Sequence, residues 1–448
     1  MTDSAAAPHL DRVVGVSGVA FTAFNCIVGV GIFSLPGLVA GVLGPTAIVA
    51  YLVCAVLIGL VGLCFAEAGS RVSGSGGLYA YAGAAFGPVV GGVAGALSLL
   101  AGAIGSAAAL ARFFLDTLAV NWPALGHSGA GIALLVAIYA TLALVNIAGT
   151  RDGARLTVTL GILKLVPLLA IIGFGIFAIH PANLAWPAMP PIGKVGDGAL
   201  ILFLAFMGIE TGLGLSGEVR DPARTIPRAI ALALGVVTML YIALQLTAQG
   251  VLGPALAGAS TPLADVAGAL FGPRGSSLLL LTTTVSIGGY MVADMLASPR
   301  AVYALAEAGQ LPRWVAQIHP ARHTPAVAIG LYATAVVLVS ASGSFRQLVV
   351  LTVAGTLLLY LIVCLGVLRL RARAVVQAGA PFIAPGGPVV PIAAAGIIMW
   401  LLSTLAWREL IAGVAFVLVT AAIYAARAYR SQMTVGLATD RPAQGDLA

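Results

Sequence analysis

Two short glycine-containing stretches decide how this sequence folds: GVGIFSLPG, from Gly29 to Gly37, and GIETG, from Gly208 to Gly212. Each lies within a run of apolar residues of the length that crosses a bilayer. Glycine weakens a helix and lets other groups approach the backbone. In lipid, a backbone that has lost its helical hydrogen bonds survives only where it lines a cavity or is buried in protein. The two stretches therefore predict two membrane helices that are interrupted partway.

The composition requires a bilayer as the solvent. Of the 448 residues, 60% are apolar and 8% are charged, and the mean hydropathy is +1.07. A water-soluble chain of this length needs more polar surface. The predicted fold class is therefore an all-α integral membrane protein. Because the four cysteines lie in apolar runs without a CxxC pair and the five histidines fall in predicted loops or tails, we expect no metal site and no cofactor.

Twelve membrane spans of about 20 residues can be placed along the chain. They fill one twelve-helix membrane domain over residues 13–428, between a polar segment at 1–12 and a tail at 429–448, both predicted to be cytoplasmic. We expect the first ten spans to form two inverted repeats, over about 13–180 and 196–370, followed by two extra helices over about 388–428. The interrupted first and sixth spans then occupy corresponding places.

Arginine and lysine are distributed unevenly between the predicted loops. With a cytoplasmic N-terminus most of them fall on the inner side, and the outer side carries Arg112, Lys194, Arg274, Arg346 and Arg408. This bias follows the positive-inside rule. It predicts a protein of the cell inner membrane with both termini in the cytoplasm. The net charge of +7 is explained by this topology, and a nucleic-acid partner is not expected.

Interrupted helices at corresponding places in two halves are typical of a transporter whose substrate site lies at the bilayer midplane. The alternative is that these glycines serve helix packing, because glycine is common in membrane helices and the chain has 56 of them. Periodicity leaves both interpretations open.

Four strings, in order along the chain, resemble the amino acid/polyamine/organocation superfamily of permeases, which includes bacterial amino acid permeases and basic amino acid/polyamine antiporters. They are GVGIFSLPG from Gly29, AEAGSRVSGSGGLYAYAGAAFG from Ala66, FLAFMGIETGLGLSGEVRDPARTIPRAI from Phe203 and SPRAVYALAEAGQLPRW from Ser298. With the twelve spans, the resemblance covers nearly the whole chain.

The resemblance implies a LeuT-type fold with a 5+5 inverted repeat, broken helices 1 and 6, and alternating access. Half-helix N-termini suit a carboxylate and half-helix C-termini suit an ammonium group. By resemblance, the amides of Val30 and Gly31 hold the substrate carboxylate, and the carbonyls of Ile27, Leu204 and Met207 take its amine. The helix breaks are assigned to Gly29, Gly31, Gly208 and Gly212, and Gly208 is also expected to contact the substrate.

The sequence departs from related transporters that have an aromatic residue at the position of Leu204. An aromatic lid over the substrate would then depend on Phe203 or Phe206. The alternative for both phenylalanines is ordinary packing against lipid or other helices.

Lys164 lies in the predicted fifth span, within GILKLVPLL. By resemblance its ammonium group stands where sodium-coupled members of the fold bind sodium, bridging the first and fifth helices, and it is also a candidate proton carrier. The alternative is a lysine that reaches the membrane surface or serves structure alone.

Glu210 and Asp294 are acidic residues at predicted membrane depth, where an ionisable group is costly and therefore a functional candidate. Glu210 lies in the sixth-span break and is predicted to gate or couple transport, with static helix capping as the alternative. For Asp294 three roles stay open: contact with a cationic substrate such as lysine, arginine or a polyamine, an ion pair with Lys164, or a proton site.

Two further charged pairs have the i, i+4 spacing of a helix: Glu67 with Arg71, and Arg112 with Asp116. Both fall near predicted span ends, and we expect exposed structural pairs worth a few tenths of a kcal/mol.

The sequence thus predicts a secondary active transporter for amino acids that is independent of sodium and works by proton symport or by exchange. Cationic amino acids or polyamines are the substrates favoured by Asp294. A passive facilitator or channel for small amines is the alternative. The chain is not expected to be an enzyme, because no HExxH or GxSxG motif is present. Its expected partners are the substrate, a co-transported proton in the symport case and the lipid bilayer, and its oligomeric state stays open.

Overall fold

A computed structural model describes residues 15–72, 77–126, 129–148, 164–209, 222–322, 324–377 and 380–439. In this part of the chain every regular element is a helix and no strand occurs. The protein is therefore all-helical. This is the outcome expected in lipid, where a helix satisfies its backbone hydrogen bonds within one segment.

Fifteen α-helices are described, and many of them correspond to the apolar runs of the sequence. Their bounds are α1 Val16–Ile27, α2 Leu35–Leu43, α3 Ile48–Arg71, α4 Gly77–Phe86, α5 Pro88–Leu97, α6 Ser106–Ala119, α7 Gly129–Ala148, α8 Leu165–Gly175, α9 Ile192–Leu202, α10 Pro222–Leu252, α11 Pro262–Glu307, α12 Ala326–Ala341, α13 Phe345–Ala372, α14 Val389–Ser403 and α15 Trp407–Thr439.

Several of these helices turn large apolar side chains outward, as a bilayer requires. Leu144 on α7 is 67% exposed and Met239 on α10 is 74% exposed. Seven described stretches are long and apolar enough to cross a membrane, and three shorter apolar helices accompany them. The protein is a multi-pass membrane protein, whereas the count of twelve spans and the inverted repeat remain predictions.

Two groups of helices are evident from the packing. In the first group, α10 packs against both α1 and α3. In the second, α12 packs against α6, α7 and α11. The two groups meet at the first interrupted segment: α1 belongs to the first group, and the 3-10 turn Val30–Phe33 packs against α11, which carries the buried carboxylate of Asp294.

Helices α5 and α6 form one continuous rod with a π-helical segment, Ser98–Gly105, between them. Such segments often occur at functional sites because the wider turn disturbs the usual hydrogen bonding. The segment packs against α13 and α12, and it contributes a carbonyl to the polar cluster around Asp294.

Candidate functional site

The first glycine-containing stretch leaves the α-helical conformation between α1 and α2. Helix α1 ends at Ile27, and Val28 (φ −71°, ψ 69°) and Gly29 (φ −90°, ψ −160°) follow in non-helical conformations. A 3-10 turn, Val30–Phe33, leads to α2. The amides of Val30 and of the next residue open this turn, where N–H groups lack acceptors within the helix.

The second stretch leaves the helix at the end of α9. A 3-10 turn, Phe203–Phe206, follows the helix, and Met207 is extended (φ −69°, ψ 157°). Gly208 has a φ of 108°, a conformation that residues with a Cβ atom rarely adopt. Glu210 and Gly212 lie outside the described residues, so their predicted roles stay predictions.

The two interrupted segments contact each other. A Cβ atom placed on Gly31 would lie 3.5 Å from the Cα atom of Ala205 and 3.2 Å from Leu35 Cδ1. The first segment therefore approaches the second at van der Waals distance. The backbone groups predicted to bind a ligand thus come from two chain segments about 170 residues apart that meet in the interior.

Tyr241, on α10, joins both segments. Its hydroxyl lies 2.8 Å from the carbonyl oxygen of Ile27 and 2.9 Å from that of Ala205. The side chain is fully buried, and the ring of Phe206 packs edge-on against it with 5.2 Å between centroids. One phenolic proton serves two acceptors, so Tyr241 can donate fully to only one of the two carbonyls at a time.

Tyr241 was not among the residues singled out from the sequence. It lies in the apolar run GVVTMLYIALQL, where its only distinguishing feature is a hydroxyl at predicted membrane depth. A buried tyrosine hydroxyl needs a hydrogen-bond partner, and broken helices supply unpaired carbonyls. That combination was the available signal.

Two of the three predicted ligand carbonyls already have partners in this structure. The carbonyl of Ile27 accepts from Tyr241 and from the Gly29 amide at 2.6 Å, and the carbonyl of Leu204 accepts from the Met207 amide at 3.4 Å. Phe203 and Phe206 are fully buried against Tyr360 and Tyr241, respectively. Packing therefore accounts for both phenylalanine rings.

Lys164 immediately precedes α8 and is half-buried. Lys164 has a polar or electrostatic partner within the protein. Residues 149–163, which precede it, lie outside the described part of the chain. Its predicted role beside the first helix stays a prediction.

Asp294 is buried on α11 and accepts two hydrogen bonds from hydroxyl groups. Ser298 Oγ lies 2.7 Å from Oδ1, and Tyr332 Oη, on α12, lies 2.7 Å from Oδ2. None of the ion pairs formed between described residues involves Asp294. The carboxylate thus interacts with the second helix group.

The prediction of an exposed Glu67–Arg71 pair was wrong. Glu67 is fully buried, and its carboxylate accepts from Arg71 Nε at 3.1 Å, from Arg371 Nε at 2.7 Å and from the Ala384 amide at 2.9 Å. The partner on α13 is 304 residues away in the sequence, so helical spacing could not reveal it.

Arg112 also differs from the expected exposed pair. Its guanidinium group is buried and donates to Asp116 at 2.9 Å and to the Gly126 carbonyl at 2.7 Å. The second bond fixes the loop that follows α6, which a pairwise helix pattern does not show.

Comparison with known proteins places the chain in a family. A family model described as amino acid permease matches residues 14–434. The chain is 29% identical over 393 residues to the branched-chain amino acid permease BcaP of Lactococcus lactis, covering 82% of this chain and 83% of the relative. It is 28% identical over 409 residues to the serine/threonine exchanger SteT of Bacillus subtilis, covering 88% and 92%.

A third relative is named for a different substrate. The chain is 27% identical over 414 residues to the methylthioribose transporter of Bacillus subtilis, with 88% of this chain and 89% of the relative covered. Family match and relatives agree with the four sequence strings and with the all-helical, membrane-spanning architecture. The chain therefore belongs to the amino acid permease family of the amino acid/polyamine/organocation superfamily.

Proposed function

We propose that the protein is a secondary active transporter that moves amino acids across the inner membrane by alternating access. The observation that carries the proposal is the meeting of two interrupted helix segments, joined by Tyr241, inside an apolar helical body. Backbone groups freed from helices at membrane depth need polar partners. A small zwitterion supplies both an acceptor for amides and a donor for carbonyls.

Recognition of the zwitterion uses groups from both breaks. The amides of Val30 and Gly31 open a 3-10 turn and suit the carboxylate, while the carbonyls of Ile27, Leu204 and Met207 suit the ammonium group. Because Tyr241 shares one proton between two carbonyls, an ammonium group can take over one of them without leaving the hydroxyl unpaired. Gly208 permits the turn beside them.

We propose a neutral amino acid as the substrate. Two of the relatives are named for branched-chain amino acids and for serine and threonine. The cationic-substrate hypothesis depends on an Asp294 carboxylate that faces the substrate, and the hydrogen bonds from Ser298 and Tyr332 engage both of its oxygens elsewhere. Uptake of leucine against lysine by Asp294→Asn tests this: a gain of leucine selectivity would restore the cationic hypothesis.

For coupling we propose sodium-independent transport, by proton symport or exchange. By resemblance, the ammonium group of Lys164 takes the place of the sodium ion that sodium-coupled transporters of this fold bind. Glu210 is proposed as a gate within the second break. We also propose twelve spans and both termini in the cytoplasm. Replacing external sodium with choline should leave uptake unchanged, and a loss of uptake would contradict the role of Lys164.

The deciding experiment uses purified protein in two steps. A thermal-shift screen against amino acids and polyamines identifies the ligand, and proteoliposomes loaded with that unlabelled ligand then report counterflow of the labelled one. A carrier accelerates labelled uptake under these conditions, whereas a passive pore does not. Absence of counterflow with a ligand that binds would reject the transporter in favour of a facilitator or a channel.

A further inference from the structure

A buried polar cluster lies between α7, α11, α12 and the π-helical segment. At its centre is Asp294, which is only 9% exposed. Both carboxylate oxygens accept hydrogen bonds, Oδ1 from Ser298 and Oδ2 from Tyr332, each at 2.7 Å. The proposed substrate site does not use this cluster.

The cluster holds an acidic group without a described counter-ion. An ionised carboxylate is costly at membrane depth, and none of the ion pairs between described residues includes Asp294. Two neutral hydroxyl donors offset part of that cost. Taking up a proton removes the charge altogether, so the group is suited to alternate between two protonation states.

Tyr332 provides a hydrogen-bond switch that responds to this change. Its hydroxyl lies 2.7 Å from Asp294 Oδ2 and 3.3 Å from the carbonyl oxygen of Ala103, in the π-helical segment. One phenolic proton cannot serve both acceptors fully. When Asp294 is ionised the proton favours the carboxylate, and when Asp294 is protonated it is free to turn to the Ala103 carbonyl.

Tyr139, on α7, supplies a second buried hydroxyl group. It is 1% exposed, its helix packs against α11 and α12, and its hydroxyl has no hydrogen-bond partner among the described residues. Buried polar groups are rarely left unpaired. A protonated carboxyl group has an O–H donor that the ionised form lacks, and so can satisfy this hydroxyl.

Other titratable side chains stand on the elements that pack against α11, and none of them forms an ion pair with Asp294 in the described part of the chain. Tyr290 is on α11 itself, four residues before Asp294. The remaining ones, with the residue that precedes α8, are Arg112, Asp116, Lys164, Arg224, Arg228, Tyr241 and Arg313.

We propose that Asp294 is a proton-binding site that couples the proton gradient to transport, with Tyr332 and Tyr139 as positioning residues. The proposal rests on the proposed transport function and selects proton symport over exchange. One proton enters and joins the Asp294 carboxylate, the Tyr332 proton turns to the Ala103 carbonyl, and release of the same proton on the other side reverses both steps. No other bond forms or breaks.

The position of α11 offers a route from this site to the substrate. Besides α7 and α12, helix α11 packs against the 3-10 turn Val30–Phe33, whose amides are proposed to hold the substrate carboxylate. A change in hydrogen bonding on one side of α11 therefore occurs one helix away from the substrate site. Two sites that bias the same packed element are coupled in both directions.

The test separates coupling from transport. Wild-type protein, Asp294→Asn and the control Asp265→Asn, which makes the same change before the kink that interrupts α11 at Gly272, are reconstituted in proteoliposomes. Counterflow without a gradient and accumulation driven by an inward proton gradient are measured for each. We expect Asp294→Asn to keep counterflow and to lose gradient-driven accumulation, while Asp265→Asn keeps both.

Gradient-driven accumulation by Asp294→Asn at the wild-type level would overturn the proposal. Wild-type counterflow without any response to a proton gradient would overturn it as well, while leaving the transport function intact. Loss of wild-type counterflow would instead reject the proposed function.

Infrared difference spectra between low and high pH report the proton directly and do not depend on transport. A carboxylic acid band that appears in wild type and is absent from Asp294→Asn supports the site. If Asp294→Asn does not fold, Tyr332→Phe keeps the carboxyl group but changes its hydrogen bonding, and the band should shift. An identical band in wild type and Tyr332→Phe would overturn the proposal.

Discussion

At the scale of single residues, the most informative side chain is Tyr241, because it binds two carbonyls that helix interruption leaves without helical partners. Its hydroxyl lies within 2.9 Å of both. In lipid those carbonyls have no water to replace the hydroxyl. Tyr241 therefore stabilises the interrupted conformation and at the same time occupies one of the acceptors proposed for the substrate amine, the carbonyl of Ile27.

Tyr241→Phe is expected to lower both substrate transport and thermal stability. Loss of one buried hydrogen bond costs about 1 kcal/mol, and the two freed carbonyls should also change substrate affinity. The matched control is Tyr51→Phe, which removes a buried hydroxyl bonded at 3.0 Å to Gln245, also on α10 but away from the breaks. Melting and counterflow are measured together. Equal effects of the two variants on transport would contradict the assigned role.

Gly208 is a second residue whose chemistry is dictated by its backbone. With a φ of 108°, an alanine there is strained by about 1–3 kcal/mol. We expect Gly208→Ala to reduce transport sharply. Gly235→Ala, on α10 with no atom within 4 Å of an added Cβ, should transport normally and gain about 1 kcal/mol in helix stability. Full activity of Gly208→Ala in uptake assays would show that the break tolerates a side chain.

At the scale of helices, the cluster around Glu67 fastens α3 to α13 and to the segment before α14. Arg371 donates through two nitrogens to the carboxylate, and the Ala384 amide adds a bond at 2.9 Å. A buried pair is weak evidence for net stabilisation, but removing one partner leaves an uncompensated charge. The cluster thus fixes how two helix ends are arranged.

Glu67→Gln should destabilise the protein by about 3–5 kcal/mol, because it leaves the buried Arg71 and the partly buried Arg371 without their carboxylate. Glu409→Gln changes an exposed acid that bonds only the Ala406 amide, and it should cost at most about 1 kcal/mol. Thermal unfolding in detergent compares the two variants. Similar melting temperatures would show that the cluster contributes little.

The sequence predicted those features that depend on local chemistry. Apolar runs indicated helices in lipid, because a helix satisfies its own backbone hydrogen bonds there. The glycines of GVGIFSLPG indicated where a helix is interrupted, because glycine weakens a helix. Features that depend on distant contacts were missed. The partner of Glu67 is Arg371, and Tyr241 meets carbonyls of α1 and of the turn after α9; no local period records either contact.

The same distinction explains Asp294. Its depth in an apolar helix marked it as a functional candidate. Whether it contacts the substrate, pairs with Lys164 or binds a proton depends on which neighbours face it. Tyr332 and Ser298 supply that information in the structure. Ser298 follows Asp294 at i+4 on α11, but Tyr332 lies on another helix, so its contribution could not be inferred from the α11 sequence.

At the scale of the whole molecule, the two helix groups contain different parts of the proposed machinery. The group of α1, α3 and α10 carries Tyr241, and the group of α6, α7, α11 and α12 carries Asp294 with its hydroxyl partners. The first interrupted segment lies where the groups meet, because it follows α1 and its 3-10 turn packs against α11. Alternating access by rigid-body movement requires one group to rock against the other while each keeps its internal packing.

Spin labels on outward-facing side chains test this movement. The pair Met239 on α10 and Leu144 on α7 spans the two groups; Met239 with Val56 on α3, and Leu144 with Leu338 on α12, stay within one group. In a background with the native cysteines replaced, the ligand found by thermal shift should change the distance distribution of the spanning pair alone. Packed helices resist internal deformation because their interiors are close-packed. Equal changes in all three pairs would mean that the helices move independently, and the division into two rigid groups would have to be abandoned.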